Sequence, residues 1–203
     1  MRAMNRAWKG LLLLAVAAAP WLPGLSHPFL YDDVGMIAEN AFLENPANAG
    51  AVLTGRTLAD PHVVNGRRPA VLATYFLDRA LYGLRPAGWR ATNLALHLGC
   101  AALLVGLLRR LTGRNYFAAA AGLLFALHPA TSEAVHAPGF RADVLCLLFT
   151  LAFLHGFLAA GPRAVVFRIG GFVSLALALL AKETAVVAPA LLGALMVLFP
   201  AAF

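Results

Sequence analysis

The chain has 203 residues, of which 61% are hydrophobic and only 12% charged, and its mean hydropathy is +0.77. Such a composition lies far outside the globular norm and excludes an ordinary soluble domain, so the chain reads as an integral membrane protein. A net charge of +7 would suit nucleic acid, but the cations gather in turns between apolar segments, which points to membrane topology instead.

A helix needs roughly 20 apolar residues to cross ~30 Å of hydrocarbon, because its backbone must satisfy its own hydrogen bonds there. Residues 8–25 form the first predicted span, with Pro20 and Pro23 inside it. A basic start, an LLLLAVAAA core and small residues near a cleavage position also fit a signal peptide, and removal of it would leave the remaining topology unchanged. Residues 26–90 follow as a long loop, too rich in apolar residues to be a plain connector. Within it, AVLATYFLDRALY, residues 70–82, repeats apolar residues at helical spacing with Asp78 and Arg79 on one side. It predicts an amphipathic helix lying at the membrane surface. Further spans are predicted at residues 91–108, containing Asn93 and His97, at the short segment 116–127, and at 144–160, 165–181 and 184–203. The turns RRLTGRN and AGPR are short, so the helices they join are antiparallel neighbours. Cys100 and Cys146 fall inside predicted helices and read as small buried hydrophobes. The fold class is therefore all-α: a polytopic membrane helix bundle of about six transmembrane helices, with a long structured first extracytoplasmic loop.

Charge assigns the sides. Arg2, Arg6 and Lys9 precede the first span, Arg109, Arg110 and Arg114 separate the second from the third, and Arg163 and Arg168 separate the fourth from the fifth, with no acid among them. In the 26–90 loop six arginines face six acids. The excess positive charge thus lies on one side, which places the N-terminus in the cytoplasm and the acids outside it.

Ionisable groups at membrane depth are costly unless paired or solvated, which makes them functional candidates. Three clusters stand out. Asp32 and Asp33, in FLYDDVGMIAEN, are neighbouring carboxylates that raise one another's proton affinity, as suits a general base near neutral pH. From the residues alone a solvated loop edge, with one of them capping a short helix, is the reading that comes first. HPATSEAVHAPGFRAD brings together His128, Glu133, His136, Arg141 and Asp143. The spacing is not that of a zinc motif. Arg141 has five donors in a fork suited to phosphate, with Asp143 placed to orient it, and an edge ion pair between these two is the alternative. Lys182 and Glu183, in LLAKETAVV, form the third cluster, able to attract an anionic headgroup or to neutralise each other. All three clusters fall on the same predicted side.

In order and wording, FLYDD, NGRRPAVLATYFLDRALYGLRPAGWRATNLALHL, HPATSEAVHAPGFRADVL and LLAKETAVV resemble the membrane part of TMTC-type proteins. The resemblance runs over residues 29–188. It implies a GT-C-like glycosyltransferase fold, of which residues 1–203 are a single membrane domain (span 8–25, loop 26–90, spans within 91–203) and the N-terminal part of a larger module. It also implies a polyprenyl-phosphate-linked sugar donor, a protein or glycan hydroxyl acceptor and membrane lipids as partners, with transfer of a mannose-like hexose outside the cytoplasm, in a bacterial inner membrane. By the same resemblance Asp32 is the base and Asp33 its helper. Arg141, Lys182 and Arg68 meet the donor phosphate or lipid, while His128, Glu133, Asp143 and Glu183 support the site. No metal set is assigned, although relatives in this fold differ on metal use, so a divalent cation between Asp32 and Asp143 stays open. A transporter-like or non-catalytic lipid-binding membrane module is the alternative from a different class.

Overall fold

The structure, a computed structural model, describes residues 10, 13–159 and 161–202. Seven helices carry the architecture: α1 (Leu13–Ser26), α2 (Pro69–Tyr82), α3 (Pro86–Thr112), α4 (Asn115–Leu127), α5 (Arg141–Phe157), α6 (Ala164–Ala181) and α7 (Ala188–Leu198). Short turns of 3-10 and π type link them, and among the described residues there is no strand. Three helical stretches, Pro86–Thr112, Pro138–Phe157 and Ala164–Ala181, are long and apolar enough to cross a membrane; Leu13–Ser26, Asn115–Leu127 and Glu183–Leu198 are shorter apolar helices. The basic N-terminal residues Arg2, Arg6 and Lys9, and the start of the first predicted span, lie outside the described residues.

Local chemistry sets the helix ends. Proline opens α2, α3 and α7, where the missing N–H has no intrahelical partner to lose. Gly113, at φ 68°, closes α3 in the left-handed conformation, and two residues later α4 begins, so α3 and α4 run antiparallel. α3 starts at Pro86, earlier than the predicted 91, because Pro86 and Trp89 belong to its first turn.

α5 forms the centre. It packs on α3 and α6, and 56% of its apolar stretch is buried, against 17% for α6. The α5–α6 contact is close because it is made of glycines. A Cβ on Gly156 would stand 2.6 Å from the Phe167 carbonyl and 2.9 Å from the Gly171 Cα, so only the hydrogen side chain lets the backbones approach.

Residues 26–68 are not an appendage. Ile37, Leu43 and Val52 from this loop are buried in one cluster with Val71, Leu72 and Tyr75 of α2, Trp89 of α3, Leu145 of α5 and Ala181 of α6. Each such side chain, fully removed from water, contributes about 1.5–3 kcal/mol of burial free energy. A second cluster, including Cys100, Leu107, Val144, Leu151, Leu154 and Leu192, fills the bundle itself.

A helix forms over the expected stretch of sequence, Pro69–Tyr82, but its charged side does not face outward. Asp78 of α2 is on the inner face and 1% exposed, whereas Leu77 and Leu81 point outward. A buried carboxylate needs a partner, and its partner is Arg141.

Candidate functional site

The candidate site is built where the long loop meets the N-terminal end of α5. Leu30 to Val34 make a tight turn: the Asp33 N–H donates to the Leu30 carbonyl at 3.0 Å and the Val34 N–H to the Tyr31 carbonyl at 3.1 Å. Tyr31 sits at φ 49°, a left-handed conformation uncommon for a bulky residue and costly to hold. The turn separates the adjacent carboxylates. Asp33 is fully buried, and its Oδ1 accepts a 2.7 Å hydrogen bond from the Gly139 N–H. Asp32 is exposed. Burial pushes the Asp33 carboxyl above its ordinary range, against the Gly139 and Leu30 hydrogen bonds, the Arg90 guanidinium and, raising it further, the Asp32 charge. So the pair divides into an anchored member and a free one.

Gly139 makes this anchoring possible. A Cβ there would lie 3.2 Å from Asp33 Oδ1 and 3.3 Å from Asp32 Cβ, tighter than most side-chain contacts. The 128–140 segment is held in turn by Arg90, which is 1% exposed. Its Nε donates to the His136 carbonyl at 2.6 Å, one terminal nitrogen to the Pro28 carbonyl at 2.6 Å and the other to the His27 carbonyl. Asp33 Oδ2 lies 3.9 Å from the same guanidinium. A single buried cation thereby ties the start of the long loop to the segment preceding α5.

Arg141 is completely buried. Its Nε donates to Asn93 Oδ1 at 2.7 Å, one terminal nitrogen to Asp78 Oδ2 at 2.5 Å and to the Trp89 carbonyl at 3.1 Å, and the other to the carbonyl and hydroxyl of Thr74 at 3.4 and 3.3 Å. The rings of Tyr75 and Trp89 flank the guanidinium, with centroids 5.2 and 5.6 Å from its carbon, in cation–π range. All five N–H groups of an arginine are engaged inside the protein. The expectation that Arg141 meets a phosphate does not fit this saturation, nor is Asp143 its orienting partner: Asp78, 63 residues away, fills that place. Nearby, the Tyr75 hydroxyl donates to the Pro138 carbonyl at 2.8 Å, and burial pushes its ionisation far above the ordinary tyrosine range. It stays a proton donor.

The accessible charges lie on the outside of this scaffold. Lys182 Nζ donates to Asp143 Oδ1 at 2.5 Å, with the two side chains 23% and 48% exposed. Arg68 approaches Glu183 at 3.5 Å. Lys182 has extended backbone angles, φ −158° and ψ 137°, so it and Glu183 project in different directions and each finds another partner. The structure thus groups Arg68, Asp143, Lys182 and Glu183 in two ion pairs. An open cavity of about 400 Å³ adjoins Arg68, lined by Asp60, Asn65, Gly66 and Arg67 among others. His128 and Glu133 stand exposed on the turn before α5; His128 Nδ1 accepts from the Ala130 N–H at 3.1 Å and so caps that turn. Among the described residues no three His, Cys, Asp or Glu side chains are grouped as a metal would need.

Asp78, Arg90 and Asn93 escaped selection from the sequence. The signal for two of them is spacing, since Arg90, Asn93 and His97 recur on one face of α3 and all are buried. A polar stripe on an otherwise apolar helix faces the bundle.

No family model matches the chain, and no solved structure matches it. Curated proteins do. The chain is 32% identical over 196 residues to the protein O-mannosyl-transferase Tmtc1 of Drosophila melanogaster, an alignment covering 92% of this chain and 22% of that protein. It is 33% identical over 141 residues to TMTC2 of Mus musculus, covering 68% of the chain and 17% of that protein. With TMTC1 of Homo sapiens it shares 34% over 137 residues, covering 64% and 16%. The chain thus spans about a fifth of the length of the relatives it matches. With these identities over as much as 92% of its length, the chain belongs to the TMTC family.

Proposed function

We propose that this chain is the N-terminal part of the membrane module of a GT-C-type glycosyltransferase that moves a mannose-like hexose from a polyprenyl-phosphate donor to a hydroxyl of a protein or glycan acceptor. In this reading its six apolar helices pass repeatedly through a bacterial inner membrane, the N-terminus is cytoplasmic and the site opens on the other side. The observation that carries it is the division of the acidic pair: Asp33 is anchored by Gly139, and Asp32 is left exposed beside it. The relatives' names, protein O-mannosyl-transferases, support the reaction class.

Asp32 takes the proton of the acceptor hydroxyl as that oxygen bonds to the anomeric carbon. The bond from that carbon to the phosphate oxygen breaks, the phosphate leaves with the electron pair, and the configuration inverts. Lys182 and Arg68, which keep part of their surface open, meet the negative charge that grows on the leaving phosphate. Asp143 and Glu183 hold these two cations in place, and Arg141 serves as scaffold beneath them. The test is transfer of mannose from polyprenyl-phosphate mannose to a hydroxyl-bearing peptide, in the full-length context, for wild type and Asp32→Asn. Loss of a general base lowers turnover by about 10²–10⁴-fold. Near-normal turnover in a folded variant removes Asp32 from the role.

A further inference from the structure

The end of the bundle far from Asp32 carries its own charged cleft. Arg90 and Arg110 are twenty residues apart on one continuous helix, α3, which at ~1.5 Å per residue separates them by about 30 Å, the thickness of the hydrocarbon. At the Arg110 end, two adjoining hollows open. One, of about 490 Å³, lies between α3, α5 and α6 and is walled by Leu103, Ala152, Phe167 and Gly170, with His155 and Arg110 on its polar rim. The other, of about 320 Å³, is lined by Gly106, Arg109, Arg110 and Asn115. Arg110 belongs to both.

Among the described residues no carboxylate pairs with the cations here. Arg109, Arg110, Arg114, Arg163 and Arg168 lie in the α3–α4 and α5–α6 turn regions, and the sequence has no Asp or Glu between residues 79 and 132 or between 144 and 182. The Arg110 side chain donates to the Leu158 carbonyl at 3.0 Å and the Arg109 Nε to Asn115 Oδ1 at 2.9 Å. Each guanidinium has five donors, so both keep donors for an outside acceptor. His155, on the same rim, has its Nε2 taken up by the Leu103 carbonyl at 2.8 Å. An apolar wall beneath a rim of guanidinium groups matches one ligand chemistry: an acyl chain topped by a phosphodiester.

We infer that the cleft between α3, α5 and α6 is a binding site for an anionic phospholipid, whose phosphate sits on Arg109 and Arg110 and whose acyl chain lies along Phe167 and Gly170. Two variants separate headgroup from cleft. Arg110→Gln removes the charge. Gly170→Leu points a side chain into the hollow from a position where a Cβ meets nothing within 4 Å, and its melting midpoint is measured alongside. The experiment is retention of phosphatidylglycerol by the full chain in nanodiscs made of phosphatidylcholine with about one-tenth phosphatidylglycerol, read by native mass spectrometry after release into detergent. Arg168→Gln, also an exposed arginine of this end, serves as control. The expected result is a fall of about tenfold in bound phosphatidylglycerol for both Arg110→Gln and Gly170→Leu, with Arg168→Gln unchanged. An equal fall for all arginine variants with none for Gly170→Leu overturns the site in favour of diffuse surface charge. Displacement of the lipid by millimolar inorganic phosphate overturns it in favour of a soluble anion.

Discussion

Arg141 donates a 2.5 Å hydrogen bond to Asp78 with both side chains closed to solvent. Removing one member of such a buried pair strands the other charge, which costs about 3–5 kcal/mol. Asp78→Ala is therefore expected to lower the thermal midpoint in detergent sharply. Arg141→Lys is expected to be nearly as damaging, because an ammonium cannot reach Asn93, Thr74, Trp89 and Asp78 together as the guanidinium fork does. Circular dichroism melts of the two variants check this.

The buried Asp33 carboxyl titrates above its ordinary value of 3.8, chiefly because burial disfavours its charge. A folded-state value raised above the unfolded one contributes stability that is full below about 3.9, the unfolded value, and is lost as pH rises through the folded value. Asp33→Asn keeps an acceptor oxygen for the Gly139 N–H and has no proton to lose. Thermal midpoints measured from pH 4 to pH 8 are expected to decline for wild type and to flatten for the variant.

Gly139→Ala places a methyl group 3.2 Å from Asp33 Oδ1 and 3.3 Å from Asp32 Cβ. The acidic turn must give by a few tenths of an ångström, which misaims Asp32 without emptying any core. Sugar transfer is expected to fall about tenfold, since displacements of this order erode catalytic positioning, while the melting midpoint moves little. A large loss of stability with turnover per folded molecule unchanged would place Gly139 among purely structural residues.

Gly156→Ala acts on the bundle instead. Its methyl group would be 2.6 Å from the Phe167 carbonyl and 2.9 Å from the Gly171 Cα, both backbone atoms, so α5 and α6 must separate. Overpacking of this kind costs about 1–3 kcal/mol. The corresponding drop in thermal midpoint is the measurement. Gly170→Ala on the same helix pair, where nothing lies within 4 Å, is the control expected to melt like wild type.

Patterning placed some helices to within a residue, as with α2, expected at 70–82 and found at Pro69–Tyr82, and missed the ends of others by several, as with α3, expected at 91–108 and found at Pro86–Thr112. Facing was less legible. Periodicity shows that a helix has two sides, but next to lipid the apolar side can point outward, and in α2 Leu77 and Leu81 do. Pairing was least legible. Arg141 and Asp143 share a motif, as do Lys182 and Glu183, yet the partners are Asp78, Lys182, Asp143 and Arg68. Closeness in sequence decides ion pairs on an exposed helix; in a folded loop the backbone direction decides them. The acidic pair was visible from the start, but its division into buried and exposed members depends on the Gly139 N–H, 106 residues further on.

Arg90 bonds to carbonyls 63, 62 and 46 residues distant, His27 and Pro28 before it and His136 after it. During synthesis the chain emerges from its N-terminus, so α3 and α4 are both made before His136 arrives to close this clamp. Until then the arginine waits at the end of an apolar helix with its last acceptor missing, and the Asp33 turn waits for Gly139. The acidic pair therefore acquires its geometry only once residue 139 has been made, and a chain halted before Gly139 would carry the two carboxylates without the contact that tells them apart.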